Sequence, residues 1–197
     1  MNITASMVKE LRTATGAGVL DCRNALVETG GDFDKSVELL RKRGMAEAEK
    51  RKEREANEGL VAAYIHSGSR IGAMVELNCE TDFVARTDEF QTLAKELTMQ
   101  VAAASPAFVK REDIPAETVA QQQEAYRAEM EAENKPPHIM DRIVAGKMEK
   151  FYQESCLLEQ PYIRDSDMTV GQLIDRYNAV LGENIAVRRC IRYELGQ

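Results

Sequence analysis

The sequence predicts an α+β protein, and three observations carry that prediction. Apolar residues recur at helical spacing over residues 4–44 and again over much of 88–181. Between those stretches, and again after Gly182, the spacing changes to alternation, the period of a strand. Glycine or proline clusters stand at most of the changes. The expected architecture is an N-terminal bundle of three short helices, then a three-stranded antiparallel sheet packed with helices and carrying a helical-hairpin arm.

The first helix is expected from about Thr4, a suitable N-cap, with Ala5, Val8 and Leu11 on one face. Thr15-Gly16-Ala17-Gly18 breaks it. A second helix over about 19–29 ends at Gly30-Gly31. Asp32 can cap a third, in which Phe33, Val37 and Leu40 recur before Gly44. Residues 1–44 are too few to be very stable alone and suit a docking module. Residues 45–57 read as a charged helical linker, in which Glu47 precedes Arg51 by the favourable four residues.

From residue 58 to 197 a core is expected. Leu60 to His66 and Ile71 to Leu77 read as a β-hairpin across Ser67-Gly68-Ser69-Arg70, with Ile71, Ala73, Val75 and Leu77 facing the core. Asp88 is the expected cap of a long helix with Gln91 at the capping-box position. Its stripe is Phe90, Leu93, Ala94, Leu97 and Val101. Helical stretches over about 116–134 and 138–156 flank Lys135-Pro136-Pro137, the pattern of an antiparallel helical hairpin. Thr169 and Gln172 form a capping box for the last helix, and Gly182 suits its end. From Ile185 the alternation of Ile185, Val187, Ile191, Tyr193 and Leu195 predicts the third strand, with Ile191, Tyr193 and Leu195 facing inward.

Composition excludes several classes. Hydrophobic residues make up 44% of the 197, and the mean hydropathy is −0.41. No apolar run approaches the roughly 18 residues of a membrane span. Met1-Asn2-Ile3-Thr4 lacks the basic start and apolar core of a secretory signal, so a cytoplasmic location is expected. A net charge of −7 argues against long-range attraction to nucleic acid. Basic clusters at Arg41-Lys42-Arg43 and Lys50-Arg51-Lys52 are interleaved with acids, and a solvated charged helix explains them. Cys22, Cys79, Cys156 and Cys190 are widely separated, and His66 and His138 are the two histidines. This is neither a zinc pattern nor a disulfide scaffold, so no metal, no cofactor and reduced thiols are expected. Cys79 and His66 could face each other across the hairpin region. Nothing in the sequence orients them as nucleophile and base, and packing is the simpler reading of both.

The segment Asn78-Cys79-Glu80-Thr81-Asp82-Phe83-Val84-Ala85-Arg86 follows a strand and precedes a helix cap. Phe83 is a large apolar residue in a connection, beside an acid. It either tucks under the loop as a satellite of the core or projects as an anchor for a partner.

Thr81-Asp82-Phe83-Val84-Ala85 after Asn-Cys-Glu is similar to a signature of the elongation factor Ts family. Val8 to Arg12 with Thr15 to Cys22 resembles the family's other signature. Phe151-Tyr152 through Cys156 to Pro161, and Gly182-Glu183-Asn184-Ile185, resemble its C-terminal landmarks. Four motifs in family order make the resemblance specific.

The resemblance implies a guanine-nucleotide exchange factor for elongation factor Tu, and no enzyme. It implies that residues 1–44 are a ubiquitin-associated-like module, and that the hairpin over about 116–156 is the family's coiled-coil arm. Thr81, Asp82, Phe83 and Val84 become the segment that enters beside the nucleotide pocket and helps dislodge Mg²⁺. Arg12, Val19 and Leu20 become the grip on the GTPase domain. Longer members carry two sheet subdomains, whereas strands for one are visible here, so a homodimer is implied, joined through the sheet. The strand from Ile185 to Leu195 is long for an edge and invites such pairing, unless a helix covers it and the chain is a monomer. The competing reading, a ubiquitin-like or peptide-binding module on an unrelated core, leaves Thr81–Ala85 unexplained.

Overall fold

The computed structural model describes residues 3–133 and 135–196. Met1, Asn2, Asn134 and Gln197, which the expected boundaries take in, lie outside the described residues. The fold is α+β, with eight α-helices and a three-stranded antiparallel sheet among the described residues. It forms two compact units. One combines Met1–Gly59, Asn78–Gln91 and Ile174–Ala186, and the other combines Leu60–Leu77, Thr92–Leu173 and Val187–Gln197.

In the first unit, helix α1 (Ala5–Thr15) begins where Thr4 Oγ1 accepts from the Met7 N–H at 3.3 Å, and ends at Gly16 with φ 71°. Helix α2 spans Val19–Glu28. Asp32 Oδ1 accepts from the Lys35 N–H at 3.0 Å and starts α3 (Phe33–Arg51). Val8, Leu11, Cys22, Ala25, Leu26 and Leu40 are buried together between the three helices. A hydroxyl pair, Thr29 with Ser36 at 2.6 Å, is closed within the same bundle.

Gly44 does not end the third helix, which runs through it to Arg51. A Cβ at position 44 would lie 3.2 Å from the Ala179 Cβ. This glycine therefore permits a close helix approach, and its packing outweighs its low helix propensity. Four residues of the basic tract are ion-paired: Lys42 with Glu38, Arg43 with Glu28, Arg51 with Glu47 and Lys52 with Asp175.

In the sheet, β1 (Glu58–Ile65) and β2 (Ile71–Cys79) form the expected hairpin, closed by the His66 N–H on the Ile71 carbonyl at 2.9 Å. The order is β1-β2-β5, with β5 spanning Ala186–Glu194. Ala73, Val75 and Leu77 are buried as expected.

The inward assignment of Ile191, Tyr193 and Leu195 is corrected, since all three are exposed. The Leu195 N–H donates to the Arg70 carbonyl at 2.8 Å, and Arg189 pairs with Glu76 at 2.6 Å. That register sets Tyr193 opposite Gly72 and Ile191 opposite Met74, on the face away from Val75. Period 2 gives two faces but does not say which is inside. The inner face of β5 instead carries Cys190, Arg192 and Glu194, and Arg192 Nε donates to the Ala102 carbonyl at 3.0 Å.

Helix α4 (Asp82–Ala85) is a single turn, and α5 runs from Asp88 to Ala104. The α5 cap is Thr87 rather than Asp88: Thr87 Oγ1 accepts from the Phe90 N–H at 3.3 Å. A cap must still be extended, and Asp88 is already helical.

Helices α6 (Ala116–Ala132) and α7 (Pro137–Ser155) make the hairpin. Met130, Val144 and Met148 are buried between them, with Val119 and Tyr126 alongside. Lys147 with Glu129 and Arg127 with Asp141 close its flanks. A two-stranded ribbon, β3 (Pro161–Tyr162) with β4 (Asp165–Thr169), precedes α8 (Val170–Leu181). Thr169 and Gln172 bond each other's backbone N–H as a capping box. No helix of the described residues is long and apolar enough to cross a membrane.

The second unit is tied internally by two buried amides. Gln100 Nε2 donates to Gln160 Oε1 and the Pro161 carbonyl, while its Oε1 accepts from the Ile163 N–H at 2.9 Å. Gln160 Nε2 in turn donates to the Ala104 and Glu154 carbonyls. Gln100→Leu keeps the volume but strips these groups of partners, at a cost of about 1–3 kcal/mol. Chemical denaturation should show that loss; an unchanged midpoint would mean that the amides contribute shape alone.

Candidate functional site

The Thr81–Val84 segment is built by its neighbours rather than by its own length. Thr81 is extended and caps α4 by accepting from the Val84 N–H at 3.4 Å. Its hydroxyl donates to Glu183 Oε1 at 2.6 Å. Glu183 Oε2 accepts from the backbone N–H groups of Glu80 and Thr81, each at 3.1 Å. Glu80 answers by accepting from the Asn184 N–H at 2.6 Å. The Asn184 amide donates to the Lys52 and Arg54 carbonyls, and Arg54 reaches Glu80 at 3.4 Å. The strand end, the connection after α8 and the end of the charged tract are thus laced together.

On this platform Ala85 is buried and Phe83 is 78% exposed, so the core-satellite reading of Phe83 does not hold. An aromatic of this size standing in solvent on a hydrogen-bonded turn has no packing role in the chain. Asp82 is bonded to Arg86 at 2.6 Å, a pair well exposed on both sides and therefore weak.

The N-terminal candidates lie on the surface of the bundle in the same unit. Arg12 is exposed, Val19 is half exposed, and Leu20 is 70% exposed. Val27, seven residues after Leu20 and so on the same side of α2, is also exposed; the sequence reading passed over it because nothing marked it as outward. Glu183 lies within the Gly182–Ile185 motif, and nothing in that motif marks its role. Its spacing from Thr81 carries no local signal, since the two meet only in the folded chain.

Cys79 and His66 do not meet. The Cys79 thiol donates to the Thr81 carbonyl at 3.1 Å, and His66 Nδ1 bonds the Tyr64 hydroxyl at 3.0 Å near the hairpin turn. Cys22, Cys79 and Cys156 are buried, and all four cysteines are free thiols. Among the described residues, no group of three or more His, Cys, Asp or Glu is arranged to hold a metal ion.

The site sets an exposed aromatic on a clamped turn, and the helix bundle of the same unit carries exposed apolar positions at Val19, Leu20 and Val27. The family model of elongation factor TS matches residues 36–197. A relative named elongation factor Ts, from Caldanaerobacter subterraneus subsp. tengcongensis, is 54% identical over 195 residues, covering 99% of this chain and 98% of its own length. Those from Desulforamulus reducens and Geobacter metallireducens are 53% and 51% identical over 99% and 100% of this chain, and 90% and 91% of their own lengths. The chain belongs to the elongation factor Ts family.

Burial, reinforced by the Glu183 carboxylate, pushes the Cys79 thiol up from 9.0 to about 11. The folded state therefore holds this proton more tightly than the unfolded chain. That stabilisation is complete below pH ~9 and is lost as pH rises through about 11. The melting temperature should fall over that interval, and Cys79→Ala should fall less steeply. Parallel curves for the two proteins would show that Cys79 is not responsible.

Proposed function

We propose that this chain is the guanine-nucleotide exchange factor of elongation factor Tu. It binds the GDP form, loosens the nucleotide and leaves a complex that GTP can resolve. Asp82 and Phe83 enter beside the nucleotide pocket and help dislodge Mg²⁺, with Thr81 and Val84 shaping the turn that carries them. Arg12, Val19 and Leu20 hold the GTPase domain, in a ubiquitin-associated-like module. The observation that carries this reading is the exposure of Phe83 on a turn whose backbone is held from both sides.

The energetics are those of coupling. Mg²⁺ neutralises the diphosphate and is among the largest charges in such a pocket. Displacing it weakens nucleotide binding, and nucleotide weakens binding of the exchange factor by the same factor. The chain makes and breaks no covalent bond in this scheme. GDP release should be measured with a fluorescent nucleotide. Phe83→Ala should slow it by roughly 30-fold, the equivalent of a hot-spot loss of about 2 kcal/mol. Wild-type release by a folded Phe83→Ala protein would overturn the assignment.

The chain is also proposed to act as a homodimer in the cytoplasm. Val61, Ile65, Met74, Ile191, Tyr193 and Leu195 are all exposed, and the register places them on one face of the sheet. A sheet apolar on both faces needs a layer on each, and the helices of this unit cover one. The Glu76, Arg188 and Arg189 group on β2 and β5 supplies charges that a two-fold axis can pair. The occupant this favours is a second copy presenting the same face. Light scattering should give about twice 22.1 kDa for the wild type and 22.1 kDa for Tyr193→Asp. A monomeric wild type at micromolar concentration would defeat the dimer.

A further inference from the structure

We propose that Glu183 is the positioning residue of the exchange segment, setting the direction in which Phe83 projects; this rests on the exchange reading above. Three hydrogen bonds converge on the one carboxylate: two backbone N–H groups and the Thr81 hydroxyl. A carboxylate accepts and does not donate, so the Thr81 O–H proton is committed to Glu183. The hydroxyl's lone pairs are then left for the Val84 N–H, and the cap of α4 has one orientation.

Without that commitment the hydroxyl can rotate, and a single helical turn has almost no cooperativity of its own to resist fraying. The segment is held as well by the return contacts of Glu80 and Asn184, so losing Glu183 loosens the turn rather than releasing the whole loop. Gly182, at φ 75°, closes α8 and turns the chain so that the residue after it can reach position 81. Glutamine at 183 has nearly the same shape. It presents one acceptor oxygen in place of two, and its NH₂ can only donate toward the Thr81 hydroxyl, which reverses the proton's direction.

The test is GDP release from elongation factor Tu at saturating and at limiting concentrations of the full chain. Glu183→Gln should lower the maximal release rate about tenfold, with a smaller change in the half-saturating concentration, because the bundle's grip is untouched. Thr81→Val, which removes that bond together with the cap on the Val84 N–H, should lower it at least as much if the Glu183 variant folds poorly. In a Phe83→Ala background, Glu183→Gln should slow release no further, since it acts through that ring. An unchanged maximal rate in Glu183→Gln, or a further slowing of similar size in the Phe83→Ala background, overturns the positioning role while leaving the exchange reading intact. A wild-type chain that does not accelerate release overturns both.

Discussion

The closure of Glu183 on the backbone at Glu80 and Thr81 is the contact on which the geometry of the Thr81–Val84 turn depends. It joins positions more than 100 residues apart in sequence. Loop closure over that distance is unfavourable and grows slowly with length, so it must be offset by several bonds made together. The structure supplies them reciprocally: residues 80 and 81 give N–H groups to 183, residue 184 gives one to 80, and the Asn184 side chain holds the backbone at 52 and 54. The strand end, the turn after α8 and the end of the charged tract then behave as one platform. In the proposed exchange role, an exposed phenylalanine standing on it would lose little freedom on meeting its partner, the form of preorganisation that strengthens a contact without adding one.

The same economy explains the polar residues inside the second unit. Gln100 and Gln160 are buried, yet every amide atom that the packing hides has a partner in a carbonyl, an N–H or the other amide. From the end of α7 to β4 the two side chains bond the backbone at Glu154, Pro161 and Ile163. The amides do for this stretch what a strand partner does elsewhere. At the base of the hairpin, Arg111 plays a comparable part. It bonds Glu149 and Glu159 and stacks its guanidinium over Tyr152 at 4.3 Å, fixing α7 to the turn that follows it.

Most elements were legible in the sequence because their signals are local. Thr4, Asp32 and the Thr169–Gln172 box each declare a helix start within four residues, and Gly16, Gly182 and the Ser67–Arg70 turn declare ends. What was not legible depends on partners distant in sequence. Gly44 reads as a stop until Ala179 is seen beside it. Thr87 loses to Asp88 on residue preference, yet it is the Thr87 hydroxyl that receives the Phe90 N–H. Phe83 admitted two readings, and no local pattern separates a ring under a loop from a ring above it. The motif named the segment; the structure alone shows the ring exposed.

The last strand is the most instructive of these cases, because its alternation was read correctly and its sidedness was not. Ile191, Tyr193 and Leu195 do share a face, and a face that apolar is ordinarily the buried one. The pairing decides otherwise. With Leu195 bonded opposite Arg70, odd positions of β5 fall beside even positions of β2, so Ile191 joins Met74 while Cys190 and Arg192 join the side of Val75. Arg192 is tolerated there because its guanidinium finds the Ala102 carbonyl and Glu194. An arginine is thus turned inward and satisfied while a tyrosine is turned outward and left bare. Burial within one chain gives no reason for that exchange, and it is on this bare outer face that the proposed pairing of two copies rests.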